Sequence, residues 1–394
     1  MKKYQLKEVS SSKEKKQFLD VVDSIYQHDN MWVRPLNSEI ENLFNPLKNN
    51  RFLTGEACRW ILYDPNNHPC GRIAAFYDDF TSASQQQPTG GAGFFECIDD
   101  QDAADMLFNQ AEAWLQQRGL QAMDGPVNFG NRDYFWGCLK DGFHQPIFNM
   151  PYNHAYYNRL FTTFGFKNFF NQYTYHLKLD PKLLNPILKL KAERLKRNPE
   201  FSFTNYHLKN GDQIAHEFSE VFNKAWARFP GVEPIDPAQA KSLFSKLKPL
   251  VDERLIVLAY RHKQPIGFFI MIPDINQIIG KFRGNLNRFN QMRLVYSLKI
   301  KKTCTRVIGL IFGVIPEYQG KGIEAGLIMK FAENATQKNF PYTDLEMNWI
   351  GDFNPTMMKL VELIGGKIHK THITYRYLFD PNQPFERAPI VNTN

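Results

Sequence analysis

The chain contains an approximate second copy of itself. Laid over itself at an offset of 200, Tyr157–Pro181 falls on Met357–Pro381, matching Leu160 with Leu360, Gly165 with Gly365, Lys167 with Lys367, Thr174-Tyr175 with Thr374-Tyr375 and Asp180-Pro181 with Asp380-Pro381. At an offset of 196, Arg59-Trp60-Ile61-Leu62 meets Leu255-Ile256-Val257-Leu258, and Pro69-Cys70-Gly71 meets Pro265-Ile266-Gly267. Both of these stretches read as an apolar run, a polar turn and a second apolar run, so a β-hairpin is expected in each half. Ala103–Arg118 and Ala325–Lys338 both carry apolar residues at helical spacing. A chain with ordered, collinear matches of this kind must build one αβ unit twice. The boundary is expected within Asp180–Glu200, where Pro181, Pro186 and Pro199 bracket a basic helical piece, Ile187–Arg197. This gives a first domain over residues 1–180, a linker helix over 181–200 and a second domain over 201–394.

The totals agree with two domains. A length of 394 residues exceeds what one hydrophobic core usually serves, and 43% hydrophobic residues place the chain among globular proteins. The five cysteines are scattered, with no metal-ligand spacing, which suits a reducing cytosol and predicts no metal. His369 and His372, three apart on a strand pattern, face opposite sides and make a poor metal pair. The basic N-terminus is followed by Ser10-Ser11-Ser12-Lys13-Glu14 rather than an apolar run, so no signal peptide is expected. No stretch approaches the roughly 18 to 20 apolar residues that cross a bilayer. The expectation is a cytoplasmic protein.

One segment has the chemistry of an anion site. Val307–Val314 is a buried-strand pattern that ends at Pro316 and runs through Glu317-Tyr318-Gln319-Gly320-Lys321-Gly322 into a helix. A strand that turns through glycine into a helix leaves the helix's first N–H groups unpaired and aimed at one spot, which suits phosphate. Gly320 and Gly322 lack the Cβ atoms that hold a diphosphate away, and Lys321 adds charge. No earlier glycine stands at Walker spacing, no Ser or Thr follows Lys321, and GxGxxG is absent, so nucleotide loops fit poorly. The matching passage of the first half, Phe94–Asp105, has no glycine and is rich in acids, so it repels phosphate.

Val314-Ile315-Pro316-Glu317-Tyr318-Gln319-Gly320-Lys321-Gly322-Ile323 resembles the pyrophosphate-loop core of GNAT acetyltransferases. Over most of its length the chain is also similar to bacterial double-GNAT proteins, through Trp32-Val33-Arg34-Pro35-Leu36, Gly93-Phe94-Phe95-Glu96, Gly125-Pro126-Val127-Asn128 and Met150-Pro151-Tyr152-Asn153. The resemblance implies an α/β (α+β) chain of two tandem GNAT folds, each a mixed, mostly antiparallel twisted sheet flanked by helices. It implies acyl-CoA or acetyl-CoA as co-substrate, transferred to a primary amine. Phe312 and Val314 are then expected to meet pantetheine, and Gln319, Gly320, Lys321, Gly322, Ile323 and Glu324 the pyrophosphate. Glu324 stands where the family has Gly or Ala, so its carboxylate falls near the diphosphate unless it turns outward.

Acyl transfer needs a neutral amine, a polarised thioester and a proton for the leaving thiolate. Alternation along Asp344-Leu345-Glu346-Met347-Asn348-Trp349 puts Glu346 and Asn348 on one face, as a general base and the residue that orients it. Glu346 paired with a neighbouring lysine is the plainer alternative. Asn354 either approaches the cofactor, as the family does, or caps the helix before Pro355. The family's tyrosine acid is replaced by Val361, which leaves Tyr318 or water to protonate the thiolate. Trp226, Phe229 and Glu233, in a bent aromatic segment, are the candidate acceptor-lining residues, although such aromatics also serve as core. A catalytically silent GNAT pair that binds or regulates is the alternative to an enzyme.

Lys281–Arg306 holds eight cations and no acid, in a chain whose net charge is +8. Phe282, Leu286, Phe289, Met292, Val295 and Tyr296 are interleaved with them. Such a stretch suits an anionic membrane surface and a lipid amine acceptor, with peripheral contact to the inner membrane; a solvated basic helix is the alternative. No nucleic-acid motif accompanies the charge, so that partner is not expected.

Overall fold

A computed structural model describes residues 4–79, 82, 87–132, 134–226 and 232–390. Phe229 lies outside the described residues. The first half contributes β1 (Gln5–Glu8), β2 (Gly55–Tyr63), β3 (Pro69–Asp78), β4 (Thr89–Cys97), β5 (Ala122–Gly125), β6 (Cys138–Asp141) and β7 (Lys167–Lys178). The second contributes β8 (Phe201–Asn205), β9 (Ile256–Arg261), β10 (Gln264–Pro273), β11 (Arg306–Val314), β12 (Asp344–Gly351) and β13 (Lys367–Leu378). All join one sheet in the order β1-β2-β3-β4-β5-β13-β7-β12-β11-β10-β9-β8, with β6 paired on β13. Both halves run antiparallel through four strands and then take one parallel step, β4 to β5 and β11 to β12. The expected α/β architecture and its mostly antiparallel sheet are therefore present, and both hairpins are formed.

The helices follow the periodicity that the sequence announced. In Gln101–Gln116 the buried residues Ala103, Ala104, Leu107, Phe108 and Ala111 recur at helical spacing against β3, and Asp100 caps the first turn through the Ala103 N–H. The second-half counterpart, Ile323–Ala335, starts two residues before the expected Ala325, with Gly322 as its cap. Between the halves, Pro186–Lys196 is a helix with Asn185 as its cap, and it packs on Ile323–Ala335 through buried Leu188 and Ala192.

The sheet does not divide at 181–200. β7, from the first half, pairs with β12 of the second, while β13, from the second half, pairs with β5 and β6 of the first. The two halves have exchanged their last strands, which also pair with each other. Tyr175 and Tyr375, equivalent in the repeat, have changed places: Tyr175 is fully buried in the core of the second half and Tyr375 is buried in that of the first. Residues 1–180 and 201–394 are thus units of sequence, each completed by a strand from the other.

Between Asp274 and Arg306 the chain leaves the sheet for a short helix, Asn276–Ile279, and a longer one, Arg288–Lys299. It returns where it left: the Asp274 N–H donates to the Arg306 carbonyl at 2.9 Å.

Candidate active site

β11 and β12 pair only from Arg306↔Asp344 to Gly309↔Met347, after which each continues without the other. A bulge at Asn348 and Trp349, against β7, turns β12 away. The two strands form a V whose open arms are Leu310–Val314 and Asn348–Gly351. The side chains of Phe312 and Val314 are buried in the helix-covered core, so β11 offers the V its backbone. The indole N–H of Trp226, which follows the helix Gly211–Ala225, donates to the Phe312 carbonyl at 3.0 Å. Structure thus brings Trp226 to the strand expected to meet pantetheine.

The arm of β11 leads into a 3₁₀ turn, Pro316–Tyr318, and then into two left-handed glycines, Gly320 at φ 72° and Gly322 at φ 94°. Positive φ at both positions is what the turn demands and what glycine supplies without strain. The first helical bond in this turn is donated by Gly326 to the Gly322 carbonyl, which leaves the amides before it, from Gly322 to Ala325, as the spare donors of the helix start. Nothing stands within 4 Å of the place a Cβ on Gly320 takes, and at Gly322 the neighbour is Lys191 of the linker helix, at 3.9 Å. This nest fits a diphosphate, with one qualification. Glu324 does not turn outward; its Oε1 accepts the Gly320 N–H at 3.1 Å. A carboxylate of the chain stands in for the expected anion. Gln319 is exposed, its side-chain amide donating to the Val314 carbonyl at 2.8 Å, and Ile323 is buried in the core.

At the apex of the V, Glu346 is fully buried and belongs to a cluster of four charges. Its Oε1 takes a 2.5 Å bond from Lys370 Nζ, and Oε2 lies 3.5 Å from Arg306 Nη1 and 3.9 Å from His369 Nε2. Arg306 also holds the buried carboxylate of Asp274 at 2.6 Å. Two anions and two cations leave the cluster neutral. Burial raises the Glu346 carboxyl, but Lys370 and Arg306 together more than offset it, and the group stays below its ordinary range. Burial pulls the Lys370 ammonium down and, with Lys370 nearby, pushes His369 down to about 4. Glu346 Oε2 has no hydrogen-bond partner among the described residues. The face that carries Glu346 is sealed by the first half: Ile147 and Met150 pack on Ile272 and Ile308, the Phe148 N–H donates to Asp274, and His144 stacks on His369 at 4.4 Å.

The lysine alternative for Glu346 is therefore realised, with Lys370 as the partner. Asn348 does not orient Glu346: the bulge breaks the alternation, and the Asn348 Oδ1 accepts its neighbour's N–H, that of Trp349, at 3.0 Å. Tyr318 is held at the far side of the loop, its oxygen accepting from Arg261 at 2.9 Å, away from the Glu346 cluster. Asn354 is the helix cap, accepting the Met357 N–H at 3.2 Å. Glu233 pairs with Arg51 of the first half at 3.1 Å and is half exposed. Val361 is buried, and no hydroxyl takes its place on the helix Pro355–Leu363.

Sequence reasoning missed Tyr175. Exchanged into the second half, it sits opposite Met347 at the apex and packs beside Gly366 and Val361. Its hydroxyl is buried with no hydrogen-bond partner among the described residues, and burial, with Glu362 and Tyr173 nearby, pushes it up to about 12. The missed Lys370 did leave a signal, since the repeat places it over Phe170, a cation where the first copy has an apolar ring.

No family model matches the chain. It is 26% identical to the bacterial ceramide synthase of Caulobacter vibrioides, over 93% of this chain and 95% of that one. It is 26% identical to Protein YghO of Escherichia coli K12, over 91% of this chain and 92% of that one. Among solved structures, the tandem GNAT protein from the clavulanic acid biosynthesis pathway superposes with a TM-score of 0.54, covering 97% of this chain and 100% of the other. At 9% identity that likeness speaks for the fold alone: the chain has the fold of a tandem GNAT protein.

Proposed function

We propose that the protein moves an acyl group from coenzyme A to the primary amine of a long-chain or lipid base. The observation that carries this reading is the V between β11 and β12, which runs at one end into a glycine nest for a diphosphate and at the other into a buried carboxylate. The relative named bacterial ceramide synthase supports a long-chain acceptor. Coenzyme A supplies the thioester; the chain supplies its placement. The amides of Gly322–Glu324, with Lys321 at the mouth, hold the diphosphate, joined by the Gly320 N–H once Glu324 releases it, and the backbone of Phe312 and Val314 lines the arm. The acceptor's ammonium loses its proton to solvent before it enters the V, since Glu346 is already paired with Lys370 and His369, pushed down to about 4, is too weak a base to take it. The amine nitrogen bonds to the acyl carbon as the carbon–sulfur bond breaks, and Tyr175 donates the proton to the departing sulfur. Incubation with palmitoyl-CoA and a long-chain amino base, followed by mass spectrometry, tests the reaction: the N-acyl product supports it, and its absence with every acyl-CoA and amine offered sinks it.

Tyr175→Phe separates chemistry from packing. A buried hydroxyl without a partner costs about 1–3 kcal/mol of desolvation, so the variant is expected to melt no lower than the parent. Its kcat is expected to fall about 100-fold, the usual scale for losing an acid. An unchanged kcat removes Tyr175 from the mechanism.

The bond from Gly320 to Glu324 favours a second reading, a GNAT pair that binds or regulates without catalysis. Glu324→Gln distinguishes them. With the competing charge removed, coenzyme A is expected to bind about tenfold tighter by calorimetry, the size of one charge-assisted bond. No binding in either protein leaves the silent reading standing.

A further inference from the structure

The insertion between β10 and β11 carries a surface that the fold leaves without a partner. In the helix Arg288–Lys299, Leu294 and Leu298 turn into the core. Phe289, Met292 and Tyr296, followed by Ile300, recur at helical spacing on the opposite side, each more than half exposed, with Val295 beside them. Apolar residues therefore lie on two faces, and only one is covered. Monomeric surfaces seldom gather large apolar side chains in this way without a use for them.

The ridge is set among cations. Arg293 lies 5.3 Å from the Phe282 ring and 5.7 Å from that of Phe289, and Lys301 lies 5.6 Å from the Tyr296 ring. A cavity of about 470 Å³ opens beside the helix, with Lys281, Arg293 and Lys301 interleaved with Phe282, Phe289 and Tyr296 along its wall. No carboxylate lines it, and no acid occurs from Lys281 to Arg306 to compensate the charge.

We propose that this insertion docks the protein on an anionic phospholipid bilayer, the ridge entering the boundary between headgroups and acyl chains and the cavity taking a lipid phosphate. An exposed apolar ridge can enter that boundary while the lysine and arginine beside it meet the negative surface. Nucleic acid has the charge but nothing for Met292, Val295 and Ile300 to bury against. A second copy has the apolar ridge but the same cations, which a two-fold contact sets against each other. The bilayer alone offers both halves of the match.

Docking reaches the site through the neck of the insertion, since Arg306 grips Asp274 and also approaches Glu346. On the acyl-transfer reading, this holds the apex of the V close to the membrane from which a lipid amine comes. The docking itself does not depend on that reading.

Flotation of the full chain with vesicles tests it, in the absence of coenzyme A, so that failure of acyl transfer cannot mimic failure to dock. Binding is expected to vesicles containing phosphatidylglycerol, weaker in high salt, and absent on phosphatidylcholine alone. The double variant Phe289→Ser, Met292→Ser is expected to bind about 30-fold less, from the apolar area removed. The variant Arg293→Gln, Lys301→Gln is expected to lose the preference for the anionic lipid. All four positions are on the surface, and melting curves confirm that the variants fold. The proposal fails if phosphatidylglycerol vesicles do not bind, or if the apolar double variant floats as well as the parent. It fails too if glycerol phosphate alone competes away all binding, which marks a soluble-anion site, or if light scattering shows a dimer that the apolar variant dissolves while vesicles bind neither protein.

Discussion

Gly322→Trp is expected to abolish saturable binding of coenzyme A and its thioesters by calorimetry, a loss of at least about 100-fold. Gly322 caps the helix at φ 94°, directly before the spare amides of its first turn. An indole there fills the nest that a diphosphate needs. Left-handed backbone costs a non-glycine residue roughly 1–2 kcal/mol, too little to unfold a protein of this size. Gly365→Ala is the control, since Gly365 sits at φ 90° with nothing within 4 Å of its Cβ direction. It carries the same strain outside the glycine loop and is expected to leave binding intact. If Gly322→Trp still binds coenzyme A, the loop is not the diphosphate site and the enzyme reading falls with it.

Lys370→Met is expected to destabilise the fold by about 3–5 kcal/mol, the usual consequence of removing one member of a buried ion pair. Methionine keeps the length of the side chain and removes the charge, which leaves the buried carboxylates of Glu346 and Asp274 sharing Arg306. Combining it with Glu346→Leu removes the orphaned charge and is expected to restore most of the loss, because Asp274 and Arg306 remain a neutral pair. Denaturant unfolding of both variants measures this. Acid adds a signature. The Glu346 carboxyl is held below its ordinary range, so its stabilisation is full above the unfolded value of about 4.3 and is lost as pH falls through the lower folded value. In Lys370→Met that acid-side loss is expected to shrink. A single variant as stable as the parent, or a double no better than the single, removes the cluster from the stability argument.

The sequence made the repeat, the hairpins, the linker helix and the glycine turn legible, because each is a local pattern whose spacing is set by the backbone itself. The strand exchange was invisible to that kind of reading. Tyr175 and Tyr375 occupy matching positions in matching strands, so either fits either core, and only the tertiary path decides which goes where. The role of Asn348 was misjudged for a related reason: a bulge at that point breaks the alternation on which the reading relied, and nothing in Asn348-Trp349 advertises it. Asn354 was open between two roles, and the geometry gives it the cap. The cluster around Glu346 draws on β11, β12, β13 and Asp274 just past β10, so no window of sequence contains it, although Lys370 over Phe170 marked one corner.

Because the first half borrows Lys367–Leu378, its sheet stays incomplete until that strand has left the ribosome. A nascent first half waits with the edge of β5 uncovered, a template for another chain's strand. Truncation ahead of β13 therefore opens the sheet at its centre, where β5, β6 and β7 all lose a partner, and two separately expressed halves can recover the fold only by trading strands.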